Sequence, residues 1–345
     1  MSGLLVLEDG TVFRGRSVAA SGTAFGEAVF TTAMSGYQET VTDPSYARQI
    51  VCFTAPMVGN YGVAEERSQS TRVHATGVVM REARGPEWPD WLRERGVVAL
   101  TGIDTRSLVL HLRERGAMQA AVVAGDATVD DVLAEVRAQP PMEGAALVAD
   151  VSPPEAYTFA PAGDVRIAVV DYGVKRSILH LLARAGAAVD VLPHDADADT
   201  LAGYDGVLLG NGPGDPAPLV DETKTVRDLL GRTPVLGVCL GHQLLALATG
   251  HRTFKLPFGH RGTNHPVLER HTGRVLVTSQ NHGFAVAPDD GAAVTHTSLY
   301  DDTVEGLHFP DVRARSAQFH PEASPGPHDG AGIIADWVEE LRSAA

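Results

Sequence analysis

From Val165 onward the chain repeats one rhythm. "VRIAVVDYG" reads as a buried strand and "KRSILHLLARAG" as an amphipathic helix closed by Gly186. "AAVDVLP" is a second strand, "DGVLLGNG" a third, "DETKTVRDLLGR" another helix and "PVLGV" a fourth strand. Strands that alternate with helices run parallel, because each helix carries the chain back over the sheet, and such a sheet is covered on both faces. The expected fold class is therefore α/β, with a mostly parallel sheet flanked by helices in the C-terminal half. Beyond His251 strand patterns dominate ("GRVLVTSQ", "TVEGLHF", "RARSAQFH"), and "AGIIADWVEELRSA" closes the chain as a helix.

With 345 residues the chain has room for a second domain. The stretch "AQPPMEGAALVADVSPPEAYTFAPAGD" holds five prolines and no sustained periodicity, which reads as a crossing between domains. The expected division is a separate N-terminal α/β domain over 1–150, a linker over 151–164 and the C-terminal domain over 165–345. In the first part, "LLVLEDGTVFRGRSV" predicts a hairpin with Asp9-Gly10 at its turn. In "GIDTRSLVLHLRERGAM", Asp104 or Thr105 caps a helix and Gly116 stops it.

Composition removes several function classes. A formal net charge of −15 leaves no basic face for nucleic acid. No apolar run is long enough to span a membrane. "MSGLLVLEDGTVF" lacks a basic n-region, so no signal peptide is expected. Two cysteines cannot build a disulfide framework, which fits a reducing, cytoplasmic location. Lys175, Lys224 and Lys255 follow Val, Thr and Phe, so none belongs to a Walker-type ATP site. His260, His265 and His271 match no standard metal spacing, and no metal is expected.

The chemistry concentrates at "PVLGVCLGHQLL". Gly237-Val238-Cys239-Leu240-Gly241 has the G-x-nucleophile-x-G form of an elbow between strand and helix. A turn that sharp strains the nucleophile's backbone, and the flanking glycines leave room for it. The turn also lifts the sulfur to the carboxyl edge of the sheet and to a helix N-terminus, whose partial positive charge suits a thiolate. A buried structural cysteine is the bland alternative, and Cys52 in "QIVCFTAP" is read that way.

A thiolate needs a base, and "AQFHPEASPG" offers His320 and Glu322 directly after a strand. Histidine can take the thiol proton and later protonate a leaving amine. Glu322 can fix the tautomer of the ring and stabilise its cation. The backbone N–H of Leu240 can donate to an oxyanion, and a second donor can come from "GNGPGDP", starting at Gly210. A dinucleotide fingerprint fails there, because its third glycine position falls on Asp215.

These residues resemble a known family. The C-terminal half is similar to class I, triad-type glutamine amidotransferases. The whole chain is similar to the small subunit of glutamine-hydrolysing carbamoyl-phosphate synthase. "SGYQETVTDPSYARQIV", "GNYGV", "TGIDTRSLVLHLRERGAM", "LGNGPGDPAP", "GVCLGHQLLALATG", "FGHRGTNHPV", "TSQNHGFAV" and "QFHPEASPGPHD" carry the likeness over nearly the full length.

The resemblance implies that Cys239 is the nucleophile, with His320 and Glu322 as its partners. It implies that Gly212 and Gly214 contact bound L-glutamine, with Gly212 and Leu240 as oxyanion donors. Gln243 would be a further contact, Asn281, Gly283 and Phe284 a loop holding the glutamine backbone, and Ser45 a contact from the N-terminal domain. Gly210 departs from the pattern, which has a serine there. By the same resemblance the chain binds no cofactor itself, while ATP and a divalent metal belong to a large subunit that is its partner in a heterodimer. Two enzyme readings stand beside this one: the glutaminase subunit of another synthase, and a γ-glutamyl hydrolase or cysteine peptidase. A non-catalytic glutamine-binding scaffold is a further alternative.

Overall fold

The structure is a computed structural model and describes residues 2–288 and 293–344. The chain forms two compact units, Met1–Ala145 with Pro257–Arg261, and Ala146–Leu256 with Gly262–Ala345.

The first unit is built on a closed barrel. Its strands are β1 (Ser2–Leu7), β2 (Val12–Ser17), β3 (Gly22–Thr31), β4 (Gln49–Phe53), β5 (Gly77–Met80), β6 (Val98–Thr101) and β7 (Met118–Ala124), in the order β1-β2-β6-β5-β4-β3-β7. The expected hairpin joins β1 to β2, and Asp9 Oδ1 accepts from Thr11 N at its turn. Alternate residues on β4 serve two cores. Ile50 and Cys52 pack with Leu5, Phe30 and Leu100, while Val51 and Phe53 pack with Met80, Trp88 and Leu92. Burial pushes the Cys52 thiol up to about 12, so this cysteine is a filler. Asp104 caps the helix Thr105–Arg115 by accepting from Ser107 N, and Gly116 ends it at φ 94°.

The second unit holds a ten-stranded sheet. Its strands are β8 (Tyr157–Ala160), β9 (Val165–Asp171), β10 (Ala187–Pro193), β11 (Gly206–Leu209), β12 (Val235–Val238), β13 (Thr253–Glu269), β14 (Val275–Val286), β15 (Val294–Ser298), β16 (Val304–Phe309) and β17 (Ala314–Ala317). The order is β14-β13-β15-β16-β17-β12-β11-β9-β10-β8. The run β10-β9-β11-β12-β17 is parallel throughout. Successive residues of β9 face opposite layers. Ile167 and Val169 pack with Ile178, Leu182 and Trp337, whereas Ala168 and Val170 pack with Leu229, Leu240 and Leu244. Each such buried Val, Ile or Leu side chain stabilises the unit by about 1.5–3 kcal/mol.

The boundaries differ from the expected 1–150, 151–164 and 165–345. The proline-rich crossing belongs to the second unit from Ala146 onward. Val148 is buried in its core, Ser152 Oγ accepts from His194 N, and β8 pairs antiparallel with β10. A short edge strand flanked by prolines carries too little periodicity to be read from the sequence. Pro257–Arg261, in the middle of β13, groups instead with the first unit. Pro257 O accepts from Ala117 N, Arg261 O accepts from Thr32 N, and the Phe258 ring lies 5.9 Å from that of Phe30. No helix of the described residues is long and apolar enough to cross a membrane.

Candidate active site

Cys239 sits between β12 and the helix Leu240–Ala248, with φ 54° and ψ −101°. This is a conformation that side-chain-bearing residues avoid, and it costs about 1–3 kcal/mol. The glycines on either side are there for space. A Cβ on Gly237 would lie 2.5 Å from Gly241 O, and one on Gly241 would lie 2.2 Å from Leu209 O. The elbow is tied to its neighbours by Cys239 N donating to Ala317 O and Gly241 N donating to Gly210 O. As the first helical residue, Leu240 has an N–H with no intrahelical acceptor, free to face a negative oxygen.

The partners arrive from other strand ends. His320 follows β17, and its N–H donates to Ser279 O of β14, which fixes the backbone there. Its Nδ1 is 2.7 Å from Glu322 Oε1. Cys239 Sγ is 3.6 Å from Asn281 O. Cys239, His320 and Glu322 are each at most 3% exposed. Burial alone lowers the proton affinity of His320. The Glu322 carboxylate and the Cys239 thiol outweigh it, Lys175 opposes them, and the imidazole is held above the ordinary histidine range. For Glu322 burial works the other way, and the charges of Lys175 and His320 overcome it, so the carboxyl is held below its usual range.

Lys175 is a site residue that sequence reasoning missed. Its Nζ lies 2.7 Å from Glu322 Oε1, deep in the unit. The turn that delivers it is held by two side chains. Asp171 Oδ1 accepts from Gly173 N and Val174 N, and Asn211 accepts from Lys175 N while donating to Gly173 O. Burial pushes Asp171 up to about 6 against those two N–H donors. A signal was available: Lys175 stands at the N-cap of the helix Arg176–Arg184, where a positive charge opposes the macrodipole.

Gly212 is confined by its surroundings, since a Cβ there would meet Tyr172 O at 2.3 Å and Leu240 Cδ2 at 2.8 Å. Gly214 has φ 90° and bridges to Ala146. At Gly210, where the pattern has serine, a Cβ would lie 2.9 Å from Val170 O. Gln243 is buried on the helix after the elbow and donates to Phe284 O. Asn281, Gly283 and Phe284 lie within strand β14, not on a loop as expected. The strand continues through them because its neighbours pair on both sides of this stretch, through Ser279 with His320 and Val286 with Val304. Ser45 belongs to the first unit, in the turn Pro44–Tyr46, where its N–H donates to Asp43 Oδ1. Of the histidines weighed for metal, His271 is exposed and His265 packs edge-on against Tyr300.

Relatives of known family match nearly the whole chain. Residues 5–122 match the family model of the carbamoyl-phosphate synthase small chain, CPSase domain, and residues 168–339 match that of class-I glutamine amidotransferases. A carbamoyl phosphate synthase small chain of Streptomyces avermitilis is 48% identical, covering 97% of this chain and 94% of that one. Those of Xanthomonas campestris and Thermotoga maritima are 45% and 44% identical, covering 99% and 98% of this chain and 98% and 99% of theirs. With an amidotransferase domain built around a strained cysteine, the chain belongs to the carbamoyl phosphate synthase small chain family, as its glutamine-hydrolysing subunit.

Proposed function

We propose that Cys239, His320 and Glu322 hydrolyse L-glutamine to glutamate and ammonia through a cysteinyl thioester. The Cys239 thiolate attacks the side-chain carboxamide carbon. The N–H groups of Leu240 and Gly212 hold the tetrahedral oxyanion, each worth roughly 3 kcal/mol. Protonated His320 then gives its proton to the departing nitrogen, ammonia leaves, and a glutamyl thioester stays on Cys239. Water, deprotonated by His320, attacks the thioester carbonyl and releases glutamate with the thiolate. Gly214, Gln243, Asn281, Gly283 and Phe284 hold the rest of the substrate, and Ser45 adds a contact from the first unit.

The observation that carries this reading is the strained elbow at Cys239 with a buried, carboxylate-paired histidine at the neighbouring strand end. Burial this complete suits a small substrate better than the extended chain of a peptidase. In this reading the ammonia passes to an ATP-dependent large subunit. With its own divalent metal, that partner makes carbamoyl phosphate from bicarbonate for arginine and pyrimidine biosynthesis. The first unit docks the small chain to that partner, and the small chain needs no cofactor. The test compares nitrogen donors in the complex. Cys239→Ser is expected to abolish carbamoyl phosphate synthesis from glutamine and to spare synthesis from added ammonia. Loss of both would remove Cys239 from a purely glutaminase role.

A further inference from the structure

Beneath the site, Gln318 occupies the short link between β17 and His320 and is fully buried. Its backbone is pinned, since its N–H donates to Glu305 O of β16. Among the described residues its side chain makes one hydrogen bond, with Gln243: Gln243 Nε2 donates to Gln318 Oε1 at 3.0 Å. The same nitrogen donates to Phe284 O at 2.8 Å. A backbone carbonyl can only accept, so the Gln243 carboxamide cannot be turned the other way. Phe284 O also takes His282 Nδ1 at 2.7 Å, which fills its acceptor capacity. Both hydrogens of Gln243 Nε2 are thus committed, and Oε1 is the polar atom that Gln243 has left for a substrate.

We infer that Gln318 is a positioning residue for glutamine binding: it locks the Gln243 carboxamide so that Oε1 faces the substrate as an acceptor. The inference rests on the proposed role of Gln243 as a substrate contact. An acceptor in that place reads a donor, and glutamine offers its α-ammonium and its carboxamide N–H groups. Gln318 Nε2 has no hydrogen-bond partner among the described residues.

The test is steady-state glutamate release by the full chain in its complex. Gln318→Leu is expected to raise KM for glutamine about tenfold, the order set by one lost hydrogen bond, with kcat changed less than about twofold. Gln318→Glu, which keeps an acceptor oxygen there, should return KM close to wild type. Gln243→Ala should raise KM at least as far, and adding Gln318→Leu to it should change nothing more. If the double variant is worse than Gln243→Ala by the full single-variant factor, Gln318 acts independently and the inference is overturned. It is equally overturned if Gln243→Ala raises KM and Gln318→Leu does not, or if Gln318→Glu behaves as Gln318→Leu does. If Gln243→Ala itself leaves KM unchanged, the substrate role of Gln243 is what fails.

Discussion

One oxygen of Glu322 serves two partners: Oε1 is 2.7 Å from His320 Nδ1 and 2.7 Å from Lys175 Nζ. The Glu322 carboxylate is therefore one corner of a buried three-charge cluster, and the charge that neutralises it comes from Lys175, in the turn between β9 and the helix Arg176–Arg184. Lys175→Met strands the carboxylate against His320 alone. Removing one member of a buried ion pair costs about 3–5 kcal/mol, which urea unfolding will show. Kinetics should move as well. Lys175 opposes protonation of His320, so its loss raises the proton affinity of the base. The alkaline limb of glutamate release is expected to shift to higher pH. Unchanged stability, or a shift to lower pH, contradicts the cluster.

The same cluster makes stability depend on pH in a way that can be given a sign. His320 is held above its ordinary value of 6.5, so its contribution is complete below 6.5 and fades as pH rises through the folded value. Glu322 is held below its ordinary 4.5, so its contribution is complete above 4.5 and fades as pH falls. The stability gap between wild type and Glu322→Gln is expected to be widest between pH 4.5 and 6.5 and to narrow on both sides. Chemical unfolding of both proteins across pH checks it. A gap still widening above pH 6.5 is the wrong sign for His320.

Chemistry separates the two histidine-linked residues. His320→Asn is expected to reduce glutamate release nearly to that of a cysteine knockout, because an amide cannot move two protons. Glu322→Gln, which keeps a hydrogen-bonding group beside the ring, should be milder. Equal and negligible losses would take the pair out of the mechanism.

Strain at Cys239 predicts an inverted stability order. At an ordinary position glycine is less stable than alanine, but at φ 54° and ψ −101° a Cβ is the source of the strain. Cys239→Gly should unfold at higher denaturant than Cys239→Ala, by about 1 kcal/mol, with both inactive. Cys52→Ala, in the barrel core, should lose stability and keep activity. Alanine proving the more stable replacement at position 239 would argue against a strained elbow.

Ser45→Ala tests the contribution of the first unit. Ser45 N–H donates to Asp43 Oδ1 within the turn Pro44–Tyr46, a backbone bond that the substitution keeps. The expected result is a raised KM for glutamine with kcat nearly unchanged, measured on the complex. A fall in kcat with constant KM would give Ser45 a role other than binding.

What could be read along the chain was what sterics sets over a few residues. The alternation that builds β9 to β12 was visible because strand and helix periods differ. The elbow was visible because Gly237 and Gly241 have no room for a Cβ, and the histidine–carboxylate pair because a single residue separates its members. The edge strand β8 was hidden by its flanking prolines and half-exposed residues, and Asn281, Gly283 and Phe284, put on a loop by the resemblance, belong to a strand whose pairing partners lie elsewhere in the chain. Tertiary structure decided the rest. Lys175 meets Glu322, Asn211 holds the turn of Lys175, and Gln318 locks Gln243, each across dozens of residues or more. Such contacts leave no local pattern, because the free energy that joins them is that of burying charges and amides together, and it exists only once the sheet has brought its strand ends to one edge.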